Sequence, residues 1–298
     1  MNKKFLFLLC FCIALLSLGC EDDNFEGNGW AVIYPDGPEA LVKGVSYNML
    51  WKAPSDASLR IELYKDSKYV ATIAEEIFKT GGFEWIISDD IPSGLDYRIQ
   101  ISDMKDSKMV TRSKNSFRIL EPGILSAFSD PRDGQIYKTV KLGKQTWMAE
   151  NYKYNAGDVT FCYQYDPALC EILGRLYNQE TAINNHPDGW HLPTDEEWKE
   201  LELYLGMAPE EIELFGSRGH SVGYILRPKG GSGFNATFSG YYNRCFDEFG
   251  HKSYESHYWT SSQTKDGSPI LRIVGNDGEI MRLASKCHMG SSVRYIKD

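Results

Sequence analysis

Short runs in which apolar and polar residues alternate fill the chain between Trp30 and Leu120. This period-two pattern is typical of β-strands with one buried face and one exposed face. Turn residues, such as those at 35–38 and 81–82, punctuate the runs. The predicted strands are Ala31–Tyr34, Ser46–Trp51, Arg60–Tyr64, Tyr69–Ala74, Phe83–Ile87, Tyr97–Ile101 and Ser116–Ile119. Strands at this spacing predict an antiparallel β-sandwich over residues 31–120.

The apolar pattern changes to helical spacing near residue 194. Trp198, Leu201 and Leu205 recur at intervals of three and four residues. Thr194 stands where an N-cap belongs, and Glu197 three residues later completes a capping-box signature. The acidic residues of this first turn are therefore interpreted as helix-capping groups rather than as catalysts.

The remaining pattern predicts a mixed α/β region with many loops. Residues 121–131 are predicted to be a linker, and a hairpin follows over 136–148. A short helix is expected within 178–188, and another at Pro209–Leu214 because proline is favoured in a first helical turn. The later predicted strands are Phe234–Tyr242, Ser256–Ser261, Ile270–Val274, Ile280–Ala284 and Ser292–Ile296. The turn at Asn276-Asp277-Gly278 is a hairpin signal.

The first residues carry the features of an export signal. Two lysines precede an apolar run from Phe5 to Leu18, which is shorter than the roughly 20 residues of a membrane span. Residues 16–20 resemble a bacterial lipobox, which implies a signal peptide at 1–19 and lipidation of Cys20. The acidic residues after Cys20 resemble a surface-export tag, which implies anchoring at the outer membrane and display on the cell surface. Simple secretion and a periplasmic-facing lipoprotein are the alternatives. Residues 20–30 lack periodicity and are predicted to be a tether.

The net charge limits the classes of partner. Forty-one acidic residues outnumber 32 basic ones, giving a formal net charge of −9. Nucleic acids and anionic membrane surfaces select basic patches, so this balance disfavours both. The membrane contact that the sequence predicts is the N-terminal lipid anchor.

Four of the seven cysteines lie beyond the predicted signal and lipidation site. An oxidising compartment favours disulfides among Cys162, Cys170, Cys245 and Cys287, and four cysteines allow three connectivities. The short separation of Cys162 from Cys170 favours their pairing, which leaves Cys245 for Cys287. Zinc ligation is the alternative, but the cysteine and histidine spacings do not support it.

A series of motifs in the second half carries a family resemblance. It consists of Asp133–Tyr137, Trp147–Asn151, Gly174–Asn178, Gly189–Trp198, Ser232–Ala236, Tyr258–Ser262 and Ser292–Arg294. In this order the motifs resemble the Fibrobacter succinogenes major paralogous domain, over about 130–298. That resemblance implies a C-type-lectin-like, mixed α/β domain, here placed at 132–298. Because this domain follows the predicted β-sandwich, the predicted fold class of the whole chain is α+β.

The first half resembles the immunoglobulin-like domain of the cell-wall glucan-synthesis and Ser/Thr-rich GPI-anchored family. The matching stretches are Trp51, Ile61–Tyr64, Phe83–Trp85, Gly94–Ile99 and Ser116–Ile119. These are mostly core and turn positions, so the resemblance implies a fold and a spacer role. Trp51 and Trp85 could form a carbohydrate platform, but tryptophans in such strands are more often core.

The sequence favours no catalytic or cofactor chemistry. It has no phosphate-binding glycine loop in a strand–helix context and no Gly-x-Ser-x-Gly motif. The histidines are scattered, and His191 is interpreted as hydrogen bonding to a neighbouring loop. The Glu-Pro-Asn, Gln-Pro-Asp and Trp-Asn-Asp motifs of calcium-dependent lectins do not occur. We therefore expect neither metal nor cofactor and no enzymatic activity.

What remains is an aromatic and amide-rich region that could contact a ligand directly. A lectin-like domain would present it in long loops, where rings stack on sugars or anchor proteins. The candidate ligand-binding residues are Tyr241, Tyr242, Asn243, Arg244, Tyr254, His257, Tyr258 and Trp259. The alternative is that several of these rings are core. The predicted function is recognition of a glycan or a surface protein. The alternatives are a structural subunit of a surface assembly and a polysaccharide-modifying enzyme of the cell envelope.

Overall fold

A computed structural model describes residues 29–37, 39–53, 57–78, 81–219, 221–243 and 245–298. The predicted signal peptide, Cys20, most of the tether and Arg244 lie outside these residues. The described part is rich in β-strands and contains few, short helices. No helix in it is long and apolar enough to cross a membrane.

Two sheets form the part of the chain up to Leu120. One has the order β1-β3-β6 and the other β2-β9-β7-β4-β5, with β8 paired to β7. The strands are β1 (Ala31–Tyr34), β2 (Ala40–Val42), β3 (Ser46–Lys52), β4 (Leu59–Lys65), β5 (Lys68–Ile77), β6 (Phe83–Ile86), β7 (Gly94–Asp103), β8 (Val110–Arg112) and β9 (Phe117–Leu120). Inward side chains of both sheets share one core, to which the first sheet gives Trp51 and Trp85. Both tryptophans are buried, which confirms their interpretation as core.

One pairing departs from the predicted antiparallel arrangement. Strand β2 runs parallel to β9, so the larger sheet is mixed. Alternation along a strand reports which face is buried but not the direction of its neighbour, and β2 itself is too short to show a pattern.

Strand β2 also joins two cores. Leu41 belongs to the core of the first two sheets, whereas Ala40 and Val42 pack into a second core with Leu226 of the later chain. Successive side chains of a strand point to opposite faces, which permits this double role. The two parts of the chain are thus packed directly against each other.

The segment predicted as a linker contains a strand. β10 (Ile124–Ser129) pairs along its whole length with the strand that follows it. Its side chains are almost all exposed, so backbone hydrogen bonds hold it rather than a buried face. For this reason its sequence has no alternating pattern, and the linker prediction was wrong here.

The described residues after Leu120 form four small sheets with short helices between them. Their orders are β10-β11-β12-β23-β15, β13-β14, β16-β21-β20-β19 and β18-β17-β22. The last strand pairs with both β12 and β15, so the end of the chain closes the first of these sheets. The elements are β11 (Ile136–Leu142), β12 (Gln145–Met148), β13 (Thr160–Phe161), α1 (Pro167–Leu173), β14 (Leu176–Tyr177), α2 (Gln179–Asn184), β15 (Trp190–His191), α3 (Asp195–Tyr204), β16 (Gly216–Arg218), α4 (Val222–Leu226), β17 (Tyr241–Asn243), β18 (Glu248–Gly250), β19 (Glu255–Gln263), β20 (Pro269–Gly275), β21 (Ile280–Ala284), β22 (His288–Gly290) and β23 (Ile296–Lys297), with a 3₁₀ turn at Tyr163–Tyr165.

Helix α3 begins as the capping box predicts. The Glu197 N–H donates to Thr194 Oγ1 at 3.1 Å, and the Thr194 N–H donates to the Glu197 carboxylate at 2.7 Å.

The prediction of a helix at Pro209–Leu214 was wrong, since this segment forms turns. Arginine side chains bind its carbonyl groups: Arg218 donates to Ile212 O and Arg282 to Glu213 O.

The strand predicted at Phe234–Tyr242 is also mostly absent, and only Tyr241–Asn243 is extended. Buried Arg294 donates to the carbonyl oxygens of Phe234 and Asn235, at 2.5 and 2.7 Å, and to Met148 O. Hydrogen bonds from a distant arginine therefore satisfy these carbonyl groups, in place of the backbone hydrogen bonds of the strand that the local pattern predicts.

Helix α3 also carries two buried carboxylates that the sequence presents as ordinary helix acids. Asp195 forms ion pairs with Arg272 and Arg282, at 2.8 and 2.5 Å. Glu202 forms ion pairs with Arg218 and Arg272, at 2.9 and 2.6 Å, and all three of these side chains are fully buried. This buried network ties α3 to β16, β20 and β21, and its burial leaves no access for a ligand.

Asp195 should make stability depend on pH in the acidic range. Burial raises the pKa of its carboxyl, but the hydrogen bond and charge of Arg282 and the charge of Arg272 outweigh this and lower it to about 2. The ordinary value is about 3.9, so this carboxylate contributes stability above pH 4 that is lost as the pH falls toward 2. We expect the parent chain to lose more unfolding free energy over that window than Asp195→Asn, although the variant is less stable at pH 7. Urea titrations at pH 7, 4, 3 and 2 measure this, with exposed Asp188→Asn as the control. Equal losses in parent and Asp195→Asn would contradict the assignment.

Candidate functional site

Five aromatic residues form a connected cluster on the sheet β18-β17-β22, strand β13 and the 3₁₀ turn that follows β13. This aromatic patch consists of Phe161, Tyr163, Tyr165, Tyr242 and Phe249. Tyr242 lies opposite Phe249 across β17 and β18, with ring centroids 4.9 Å apart. Tyr165 and Phe161 extend the cluster, with centroids 5.1 Å from Phe249 and 5.3 Å from Tyr242 respectively. Pairs at such distances stabilise one another beyond their buried area.

Part of this cluster faces solvent. Tyr165 is 63% exposed. Phe246, which is not one of the five patch residues, is 73% exposed in the turn between β17 and β18. Phe161, Tyr242 and Phe249 are half-buried, so each keeps part of its ring accessible. A surface on which several partly exposed aromatic rings contact one another is typical of sites that bind a partner.

The two disulfides of the structure hold the two sides of this surface. Cys162–Cys170 closes the loop that carries Tyr163 and Tyr165, and Cys245–Cys287 ties the β17–β18 turn to the segment before β22. Disulfide formation by these cysteines is confirmed. The bridges limit the freedom of the loops from which the rings project.

Local backbone geometry and one hydrogen bond further fix the rings. Gln164, Tyr165 and Asp247 adopt left-handed conformations, with φ of 53°, 58° and 51°. Non-glycine residues adopt them at a cost, and such positions concentrate at binding sites. Tyr242 donates its hydroxyl hydrogen to Asp247 at 2.5 Å, and this bond raises the pKa of Tyr242 to about 12. The phenol therefore stays protonated at neutral pH.

Three potential metal ligands lie on the other face of β17. The Glu255 carboxylate lies 2.7 Å from His251 Nδ1 and 3.0 Å from His257 Nε2. One ligand atom from each residue falls within 4.8 Å of the others. The Tyr241 ring stacks on His257 with centroids 4.3 Å apart. Two imidazoles and a carboxylate are a donor set that divalent transition metals accept.

A comparison with protein-family models gives one match. Residues 140–297, more than half of the chain, match the Fibrobacter succinogenes major domain. The chain belongs to this family. The matched region contains the aromatic patch, both disulfides and the three potential metal ligands. The comparison with curated proteins finds no match.

Within this Fibrobacter succinogenes major domain, several predicted ligand-binding residues are buried. Tyr258 and Trp259 are 0% and 1% exposed, and His257 and Asn243 are also buried. Trp259 Nε1 donates to Tyr177 O at 2.6 Å, and Tyr258 packs against Trp198. These rings are core because β19 is paired with β20 and packed against α2 and α3. The burial of Tyr258 and Trp259 therefore contradicts the prediction that these two rings contact a ligand.

The other predicted ligand-binding residues lie nearer the surface but do not form one face. Tyr242 belongs to the aromatic patch, whereas half-buried Tyr241 points to the opposite side of β17. Tyr254 is exposed in the loop before β19. Arg244 lies outside the described residues.

Sequence reasoning missed the patch residues other than Tyr242. Phe161, Tyr163 and Tyr165 alternate around Cys162, and two phenylalanines follow Cys245. Aromatic residues flanking cysteines of both bridges were the available signal. It was overlooked because their proximity depends on how the two disulfide-closed segments meet in space.

His191 makes two hydrogen bonds that connect separate parts of the domain. Its Nε2 lies 2.8 Å from the Glu197 carboxylate of α3, and its Nδ1 lies 2.6 Å from Asp298. Burial lowers the pKa of this histidine, but its hydrogen bonds to the carboxylates of Asp298 and Glu197 raise it above its usual value. The interpretation of His191 as a hydrogen-bonding residue fits this geometry. Its partners are Glu197 of α3 and Asp298, whereas the sequence predicted a neighbouring loop.

A cleft of about 310 Å³ lies on another side of the domain. Its charged lining residues pair with each other: Lys138 lies 3.7 Å from Glu150, and Lys153 lies 3.1 Å from Glu171. The cleft has room for a small polar ligand. Glu150 and Glu171 are the carboxylates that line this cleft, and an enzymatic function would use such groups.

Proposed function

We propose that this chain is a surface lipoprotein whose Fibrobacter succinogenes major domain recognises a glycan through the aromatic patch, without catalysis. The observation that carries the proposal is a partly exposed cluster of rings held from two sides by disulfides. Tyr165 and Tyr242 offer both a ring face and a hydroxyl, and Asp247 offers a carboxylate beside them. Such amphipathic side chains suit a ligand with apolar faces and many hydroxyl groups.

We also propose how the two domains and the membrane anchor are arranged. The domain at 132–298 displays its loops in the manner of a C-type-lectin-like fold, and the immunoglobulin-like sandwich at 31–120 serves as a spacer. Lipidation at Cys20 anchors the chain in the outer membrane, facing outward. Rings and amides contact the glycan directly, so the mechanism needs neither a bridging calcium ion nor a cofactor.

A glycan array tests this function with the chain from residue 21 onward. We expect binding to at least one glycan class, with signal retained when calcium is withdrawn. Tyr165→Ala and Phe249→Ala should each weaken binding about tenfold, since truncating a hot-spot ring costs more than about 1 kcal/mol. Isothermal titration with the best glycan measures this.

The matched control is Tyr69→Ala, which removes an exposed ring from β5 in the first half of the chain. Its affinity for the glycan should equal that of the parent.

Three results would overturn the proposal in favour of a specific alternative. Absence of glycan binding together with co-purifying envelope proteins indicates a structural subunit. Binding of a purified surface protein that both patch variants abolish indicates protein recognition. Turnover of a polysaccharide that Glu150→Gln or Glu171→Gln abolishes indicates an enzyme.

A further inference from the structure

The group formed by His251, Glu255 and His257 has the composition of a transition-metal site. His251 follows β18, and Glu255 and His257 lie two residues apart in β19, so their side chains share one face of that strand. One oxygen of Glu255 lies within hydrogen-bond distance of a ring nitrogen from each histidine. The three side chains thus converge on a single point.

The distances fit an ion at that point. Zinc bonds to imidazole nitrogen and carboxylate oxygen at about 2.0–2.2 Å, which places neighbouring ligand atoms about 3.3 Å apart in a tetrahedron. The nitrogen–oxygen separations of 2.7 and 3.0 Å need to widen only slightly, and no two ligand atoms are more than 4.8 Å apart. A side-chain adjustment of about an ångström completes a tetrahedral arrangement with one open position.

The ligands differ in exposure in a way that suits capture of an ion from solvent. His257 is buried and stacked against Tyr241, so its position is fixed. The His251 side chain is 56% exposed and leaves an approach from solvent. Buried His257 therefore fixes the position of the site, and exposed His251 can reorient to bind an ion that arrives from solvent.

We propose that His251 Nδ1, the Glu255 carboxylate and His257 Nε2 bind one zinc ion, with water in the fourth position. The ion joins the segment after β18 to β19 and so braces the sheet whose opposite face carries the aromatic patch. The donor set of two imidazoles and one carboxylate selects zinc over calcium, which prefers six or more oxygen ligands.

Isothermal titration of chelator-treated chain, from residue 21 onward, with zinc chloride tests the site. We expect one zinc ion per chain, and a rise in melting temperature with zinc because the ion binds the folded state. His251→Gln and Glu255→Gln should each lower zinc affinity tenfold or more. Both residues are at least partly exposed, so these variants should fold, as circular dichroism can verify. Calcium at equal concentration should not compete.

The chain offers a matched control in His191→Gln. His191 also lies between two carboxylates, but Glu197 and Asp298 contact opposite nitrogens of its ring and cannot converge on one ion. This variant should bind zinc as the parent does. The proposal is overturned if the parent binds no zinc, if the two site variants bind zinc like the parent, if His191→Gln loses the binding equally, or if calcium displaces zinc. Zinc binding is measured without glycan, so its outcome is independent of the recognition proposal.

Discussion

Glu202→Ala should lower the free energy of unfolding by about 3–5 kcal/mol. Glu202 is fully buried and is the carboxylate that both Arg218 and Arg272 contact. Its removal leaves Arg218 buried without this counter-charge and Arg272 with Asp195 alone. Breaking a buried ion pair from one side is costly because the remaining charge has lost its hydration and its partner.

Urea denaturation followed by far-ultraviolet circular dichroism measures this change. Glu196→Ala is the matched control, since Glu196 lies on the same helix, forms an ion pair with Lys199 instead of arginines, and has a side chain that is 78% exposed. Exposed ion pairs contribute about 0–1 kcal/mol, so the control should resemble the parent. Similar losses in both variants would mean that the buried network does not carry the stability assigned to it.

Removal of the Cys245–Cys287 bridge should cost more stability than removal of Cys162–Cys170. The first bridge joins residues 42 positions apart and the second joins residues 8 apart. A disulfide restricts the unfolded chain more when it closes a longer loop, by about 4 kcal/mol for the first and about 2.5 kcal/mol for the second. The paired variants Cys245→Ala/Cys287→Ala and Cys162→Ala/Cys170→Ala, compared by urea denaturation, test this order.

Each paired variant serves as the control for the other, because both remove one bridge from the same surface. If the proposed function is right, both should also weaken glycan binding by loosening the patch. Equal stability losses, or a larger loss for Cys162→Ala/Cys170→Ala, would contradict the chain-entropy account of these bridges.

Some elements could be predicted because their cause lies within a few neighbouring residues. The seven strands predicted before Leu120 are all present, with ends that differ by a few residues, since alternation is a local property. The capping box at Thr194 needs only residues three apart. The hairpin at Asn276–Gly278 joins β20 to β21 because Gly278 can adopt the positive φ of 92° that its turn requires.

Other elements depended on groups far away in sequence. The carbonyls of Ile212 and Glu213 accept hydrogen bonds from arginines that local helical propensity cannot take into account. Exposed β10 pairs through its backbone, so its side chains leave no pattern to detect. Trp259 and Tyr258 have the composition of a ligand surface, yet the packing of β19 places them in the core.

The sequence by itself determined the membership in the Fibrobacter succinogenes major domain family, the strands of the first half and the start of α3, because motif order, alternation and capping are carried by nearby residues. Only the tertiary structure decided which aromatic rings reach solvent, that helix acids meet buried arginines, and that His251, Glu255 and His257 converge. These properties depend on how loops and sheets pack, and packing brings together residues whose separation along the chain gives no sign of their contact.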